Sequence, residues 1–129
     1  MKVSPIAVLL VTLFAATAQQ KPKKPADVQI LESKAVREPT RITVDGRVRV
    51  TGDKSLHGLV IVFDFRSPEK EVVTTQKAVI TEDTVGPGYE GAYHSDMADA
   101  ARAVHYTIRA FDMHEKELKI VNTGPFPIE

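Results

Sequence analysis

Between Arg41 and Thr51 the chain alternates without a break. Ile42, Val44, Gly46, Val48 and Val50 take one side, and Arg41, Thr43, Asp45, Arg47, Arg49 and Thr51 take the other. A period of two belongs to a β-strand, whose successive side chains point to opposite faces, and β-branched residues suit its pleat. One face of such a strand is buried and the other wet, so it requires an apolar layer to pack against. The same period returns at Leu59, Ile61, Phe63 and Phe65, and again at Val104, Tyr106, Ile108 and Ala110. A layered β fold follows.

Turn residues punctuate the strands at Thr51–Ser55, Ser67–Lys70, Thr84–Gly88 and Met113–Lys116. A first strand is expected from Val28 to about Glu32, and a strand rich in Val and Thr from Glu71 to Thr81. Tyr89 to His94 reads as a short strand with Tyr89 and Tyr93 on one side. The last hairpin returns over Glu117 to Asn122, with Ala110 facing Leu118 and Ile108 facing Ile120. Two prolines keep residues 123–129 (TGPFPIE) extended, and Phe126 and Ile128 are placed at the sandwich edge. Only Ser95 to Arg102 has helical composition, with Ser95 or Asp96 as N-cap. Seven short strands at this spacing predict a single all-β domain over residues 27–129, a seven-stranded Ig-like antiparallel β-sandwich, with an unclosed barrel as the structural alternative. Pairing Val50 with Leu59 sets Gly46 opposite Phe63, where the missing side chain would admit the ring.

Ahead of this domain, Lys2 precedes an eleven-residue apolar run, Ile6 to Ala16, and Ala16 and Ala18 follow as small residues. That is the pattern of a cleavable signal peptide over residues 1–18, since eleven residues at 1.5 Å each fall short of a bilayer core of about 30 Å. Residues 19–26 (QQKPKKPA) form a Lys/Pro linker with nothing apolar to bury. The expected location is secreted or periplasmic. The chain has no cysteine, so no disulfide can staple it; the 111 residues left from 129 after removal of 18 suffice for a core. Cleavage leaves 16 basic against 17 acidic side chains, a formal net charge of −1. That balance provides no electrostatic footprint for nucleic acid, and no later apolar stretch is long enough to span a membrane.

Ile42 to Val50, followed by Asp53-Lys54-Ser55-Leu56 and Leu59 to Phe65, resembles the FxLYD-type group of bacterial exported Ig-like domains. That group carries a G-x-V-x-N passage, a small polar turn and an L-x-x-V-x-V-x-F passage ahead of a Pro-Gly turn, here Gly86-Pro87-Gly88. Thr51 stands near where the group often has Asn, and Arg66-Ser67-Pro68 replaces its usual Tyr-Asp turn. The resemblance covers residues 40–93. It implies an Ig-like fold, no catalytic residues and a role as a non-enzymatic adhesion or accessory module.

Candidate chemistry is sparse. His94, Asp96 and Asp99 put one imidazole and two carboxylates within six residues, which could hold a divalent cation if the loop curled around it; a helix N-terminus explains the same residues. His94-Ser95-Asp96 cannot form a triad, because adjacent residues cannot converge as nucleophile, base and orienter. His57, His105 and His114 are scattered, without zinc-ligand spacing. Glu82-Asp83 and Glu115-Lys116-Glu117 sit in turns, and the chain has no tryptophan to stack on a sugar. Arg41, Arg47 and Arg49 share the polar face of one strand, with Arg66 alongside, and form a basic stripe suited to a protein or acidic envelope partner. Their ordinary alternative is pairing with Asp64 and Glu71. The functional expectation is a non-catalytic, cofactor-free interaction or scaffolding module of the cell envelope. A small-ligand or metal-binding module using residues 94–99 is the alternative.

Overall fold

The computed structural model describes residues 26–129, so the expected signal peptide at 1–18 and all of the linker but Ala26 lie outside the described residues. Ten strands follow in chain order: β1 (Val28–Glu38), β2 (Arg41–Val50), β3 (Leu56–His57), β4 (Val60–Arg66), β5 (Val72–Val79), β6 (Thr84–Val85), β7 (Glu90–Ala98), β8 (His105–Phe111), β9 (Ile120–Val121) and β10 (Phe126–Pro127). They form two four-stranded sheets, ordered β7-β2-β1-β9 and β10-β8-β4-β5, and a small β3-β6 ribbon. The inward residues of both large sheets join one apolar cluster, the arrangement of a β-sandwich.

The two most regular apolar strands each have a neighbour on both sides. β2 pairs antiparallel with β1 and β7, and β4 with β5 and β8. Consecutive strands commonly pair, and the expected Val50–Leu59 register rested on that tendency. It is overturned here, because both edges of β2 are taken and the chain crosses to the other sheet through β3. Phe63 lies between Gln76 and Ile108, while Gly46 pairs with Ser33 and Tyr93. The space left by the missing Gly46 side chain belongs to the Tyr93 phenol. Phe63 packs on the far side of that ring, with centroids 5.6 Å apart.

β1 runs six residues beyond its expected end because a bulge between Ile30 and Glu32 changes its phase. Val28 and Ile30 point inward before the bulge, and Ser33 and Ala35 after it. This brings the Ser33 hydroxyl into the core, where Tyr93 Oη donates to Ser33 Oγ at 2.7 Å and Tyr106 Oη lies 2.7 Å from the same oxygen. The second half of β1 is too polar to read as a buried strand, yet its backbone is fully laddered to β2.

The helix expected at Ser95–Arg102 is absent. β7 continues to Ala98, placing Met97 in the core opposite Ile42, and a short turn follows. Tyr89 and Tyr93 do not share a side, for Tyr89 precedes the strand in a turn and is 72% exposed. The last hairpin starts as expected, with Leu118 N donating to Ala110 O at 2.8 Å. It then leaves the sheet: Ile120 pairs in parallel with Val28 of β1 instead of facing Ile108. Phe126 and Ile128 do sit at the sandwich edge, Phe126 against Tyr106 with centroids 5.4 Å apart and Ile128 bridged to Ala35.

Candidate interaction surfaces

On the outer face of the first sheet, the alternation of β2 holds Arg41, Thr43, Asp45, Arg47 and Arg49 to one side. Their rungs are Arg49–Glu90, Arg47–Glu32 and Asp45–His94, so basic side chains meet acidic neighbours across both ladders. Arg47 bridges two carboxylates, Nη1 to Glu90 at 2.8 Å and Nε to Glu32 at 3.3 Å. Arg49 Nη2 takes the other oxygen of Glu90 at 2.9 Å. The hydrogen bond and charge of Glu32, then the charge of Glu90, push the Arg47 pKa above its usual value. Arg41 has no carboxylate within 4.0 Å among the described residues. The expected basic stripe is therefore a lattice of mixed charge. Arg66 is not alongside, since it belongs to the other sheet. Asp64, one of the two acids expected to neutralise the stripe, is paired there with Arg109.

The same face carries the polar cluster around His94. Its Nδ1 lies 2.6 Å from Asp45 Oδ1 and its Nε2 lies 3.2 Å from Asp96 Oδ2, while Thr43 donates to Asp96 at 2.9 Å. Hydrogen bonding to Asp45, and next to Asp96, raises the imidazole pKa. The two carboxylates flank opposite sides of the ring and do not converge on a point. Asp99 lies elsewhere, held by Arg37 Nε at 2.8 Å. Residues 94–98, expected as a curled loop, belong instead to β7, and Asp99 lies just beyond its end.

His57 and His114, far apart in sequence, line one cleft of about 390 Å³ with Asp27, Asp53 and Asp112. Three of these side chains are occupied: Asp27 accepts from Lys119 N, Asp112 from the N–H groups of His114 and Lys116, and His57 Nδ1 lies 2.9 Å from Thr84 Oγ1. Among the described residues no three His, Asp or Glu side chains form a group able to hold a metal ion.

The outer face of the second sheet is different in kind. Val79, Val60 and Phe111 form one rung across β5, β4 and β8, and Lys77, Val62 and Arg109 form the next. Val79 is 64% exposed and Met113, in the turn beyond β8, is 59% exposed. Together they line an open groove of about 690 Å³. Asp64, only 6% exposed, anchors this face by taking Arg109 Nε at 2.8 Å and Nη2 at 3.0 Å and accepting from Thr75 at 3.0 Å. The Arg109 guanidinium then lies 5.6 Å from the Phe111 ring centroid. Sequence reasoning missed this surface. Its signal was present in Val60 and Val62, apolar residues on the face of their strand opposite Leu59, Ile61, Phe63 and Phe65, and in Val79 on the neighbouring strand.

No family model matches the chain, and no curated protein matches it. Solved structures similar to it include β-glucosidase 3B from Thermotoga neapolitana in complex with glucose, at 12% identity and a TM-score of 0.47 over 80% of this chain. The chain spans 16% of that enzyme's length. A putative ApaA protein from Bordetella pertussis is similar at 14% identity and a TM-score of 0.44, over 80% of this chain and 100% of that one. Pseudomonas fluorescens alkylpurine DNA glycosylase AlkC, bound to DNA with an abasic site analogue, is similar at 12% identity and a TM-score of 0.42, over 82% of this chain and 33% of that one.

Proposed function

We propose that the chain is an exported, non-catalytic β-sandwich of the Ig-like, FxLYD type that acts by binding protein in the cell envelope. The observation that carries this reading is the apolar strip of Val60, Val79, Phe111 and Met113 on an outer sheet face, where water-facing residues are the rule. Export is supported by the charged start, short apolar run and small residues at 16 and 18. The mixed-charge face with Arg41, Arg47 and Arg49 supplies a second, salt-sensitive contact, in which Arg41 is the group with charge to spare. Of the turn carboxylates that a glycosidase reading would recruit, Glu82 serves structure, accepting from Ala92 N at 3.1 Å.

Two measurements test it. Intact-mass analysis of native material should show a chain beginning at Gln19; retention of Met1 to Ala18 removes the export reading. Crosslinked capture from the envelope fraction should yield a defined protein complex that weakens with Val79→Glu and with Arg41→Gln, Arg47→Gln and Arg49→Gln combined. Equal capture by the wild type and both variants refutes the surfaces named.

A further inference from the structure

We infer that residues 123–129 form an exchangeable clasp, which can leave its own domain and take the same place on a second copy of this chain. This exchange needs neither outer sheet face, so it stands apart from the protein-binding reading above. The clasp closes the side of the sandwich away from β5 and β7, and it bonds to both large sheets. Toward the second sheet, Thr123 O accepts from Ile108 N at 3.0 Å and Ile128 N donates to Val104 O at 3.1 Å. Toward the first, Glu129 N donates to Ala35 O at 2.9 Å and Glu129 O accepts from Arg37 N at 2.8 Å. Phe126 lies on the Tyr106 ring, and Ile128 packs against the core. Each of these hydrogen-bond partners, and Tyr106 with them, belongs to the domain ahead of residue 111. A clasp from another copy therefore makes the same contacts with nothing altered.

The link to this clasp sets it apart from an ordinary chain end. Val121 still pairs with Gln29 of the first sheet while Thr123 already bonds to β8 of the second, so Asn122 alone makes the crossing. It does so at φ 70°, in the left-handed region, and Gly124 follows at φ 96°. A short link held in an uncommon conformation favours exchange, because opening into an extended chain releases it. Phe126 and Ile128 are only half-buried and Pro127 between them is exposed, so the clasp belongs to the least stable part of the domain. Its seat does not stand well empty. With the clasp out, Ala35 O, Arg37 N, Val104 O and Ile108 N lose these partners along two sheet edges, and the Tyr106 ring loses its cover. Another open copy supplies the segment that matches both edges, apolar at 126 and 128, and receives the same in return.

The chain has no cysteine, so introduced thiols report the exchange without interference. His105 and Pro127 oppose each other on β8 and β10, and such antiparallel partners lie about 4.5–5.5 Å apart at Cα, within reach of a disulfide. Protein carrying His105→Cys and Pro127→Cys, refolded from urea at about 1 mM, should separate by size exclusion into monomer and dimer. Oxidised after that separation, the dimer should run as a covalent dimer on a non-reducing gel, and the monomer as a single chain with an internal bond. Oxidised before it is concentrated, the monomer should no longer dimerise. Val36→Cys with Glu129→Cys is the second pair should position 105 disturb the fold, because Glu129, bonded to Ala35 O and Arg37 N, stands opposite Val36. Asn122→Gly and Asn122→Val both lose the Asn122 Nδ2 bond to Ile30 O at 3.0 Å, so comparing them reads the backbone alone. Valine is disfavoured in the left-handed region and glycine is not, so the valine variant should dimerise roughly tenfold more tightly. No dimer at about 1 mM, a dimer whose disulfides stay within each chain, a locked monomer that still dimerises, or equal dimerisation of the two hinge variants overturns the inference.

Discussion

Replacing Gly46 by alanine tests the core from its tightest point. A Cβ built there falls on the Oη and Cζ atoms of Tyr93 and lies 2.5 Å from the backbone oxygen of Glu32. The carbonyl cannot retreat without opening the β1–β2 ladder, so the phenol must move. Overpacking of this kind costs about 1–3 kcal/mol. Moving the phenol also breaks its 2.7 Å bond to Ser33 in a buried site, which adds about 1–3 kcal/mol for the oxygen left without a partner. The combined loss, around 3 kcal/mol, is a large share of the 5–15 kcal/mol that holds a small domain together. With a urea m-value of about 1–3 kcal/mol/M, the midpoint should fall by roughly 1–3 M. Thr43→Val in the same strand gives up only an exposed bond to Asp96 and should stay within about 0.5 kcal/mol. Tyr93→Phe supplies the second leg of a cycle. It removes the atom nearest the new methyl, so the double variant should be more stable than additivity predicts by about 1 kcal/mol. Similar midpoints for Gly46→Ala and Thr43→Val, or strict additivity with Tyr93→Phe, would refute the assignment of that space to the phenol.

Ser33→Ala strands two phenols at once and should destabilise by about 1–3 kcal/mol; a urea midpoint unchanged from wild type shows that the hydroxyl chain is dispensable. The Tyr106 phenol, pushed up to about 12 by burial, should ionise only near the alkaline unfolding transition, which a spectrophotometric titration reads directly. Arg37→Gln releases Asp99 and the carbonyls of Ala100 and Ala103, so amide exchange should rise locally over residues 99–104 while the core strands stay protected. The His94 pKa is raised above 6.5, so its stabilising contribution is complete below that pH and is lost as pH rises through the folded value. An NMR titration midpoint above 6.5 is expected, and wild-type and His94→Gln stabilities should converge on the alkaline side; titration at or below 6.5 contradicts the clamp.

The strands of the sandwich were legible wherever a two-residue period met a buried face, as in β2, β4 and β8. What was illegible was which strand lies beside which. Both β2 and β4 alternate well enough to be neighbours, and nothing local distinguishes a hairpin from a crossover when the link is as short as residues 51–58. β1 was cut short because a bulge shifts the phase of its apolar residues from even to odd positions, and a strict period breaks at Leu31. The 95–102 segment has helix-forming alanines, but Met97 opposite Ile42 and the long ladder with β2 outweigh that preference. At the surface, alternation correctly put the three arginines on one face. It could not supply Glu32 and Glu90, which come from neighbouring strands and turn a stripe into a lattice. The apolar strip escaped for the converse reason, since its members lie on three strands and each shows only isolated exposed residues.

The path of the final ten residues has a consequence for how this protein is made. Ile120 and Val121 join the first sheet beside β1, Phe126 and Pro127 join the second beside β8, and Glu129 returns to the first, accepting from Arg37 N and donating to Ala35 O. Asp27, at the start of the described fold, accepts from Lys119, 92 positions later. The two ends of the domain are thus the last partners to meet, and contacts of such long range are slow to form. Until residues 120–129 leave the ribosome, β1 lacks one neighbour and β8 lacks another, so synthesis outpaces completion of the sheets. Completion of both sheets therefore waits on this one closing segment, which supplies the outer neighbour of β1 and of β8.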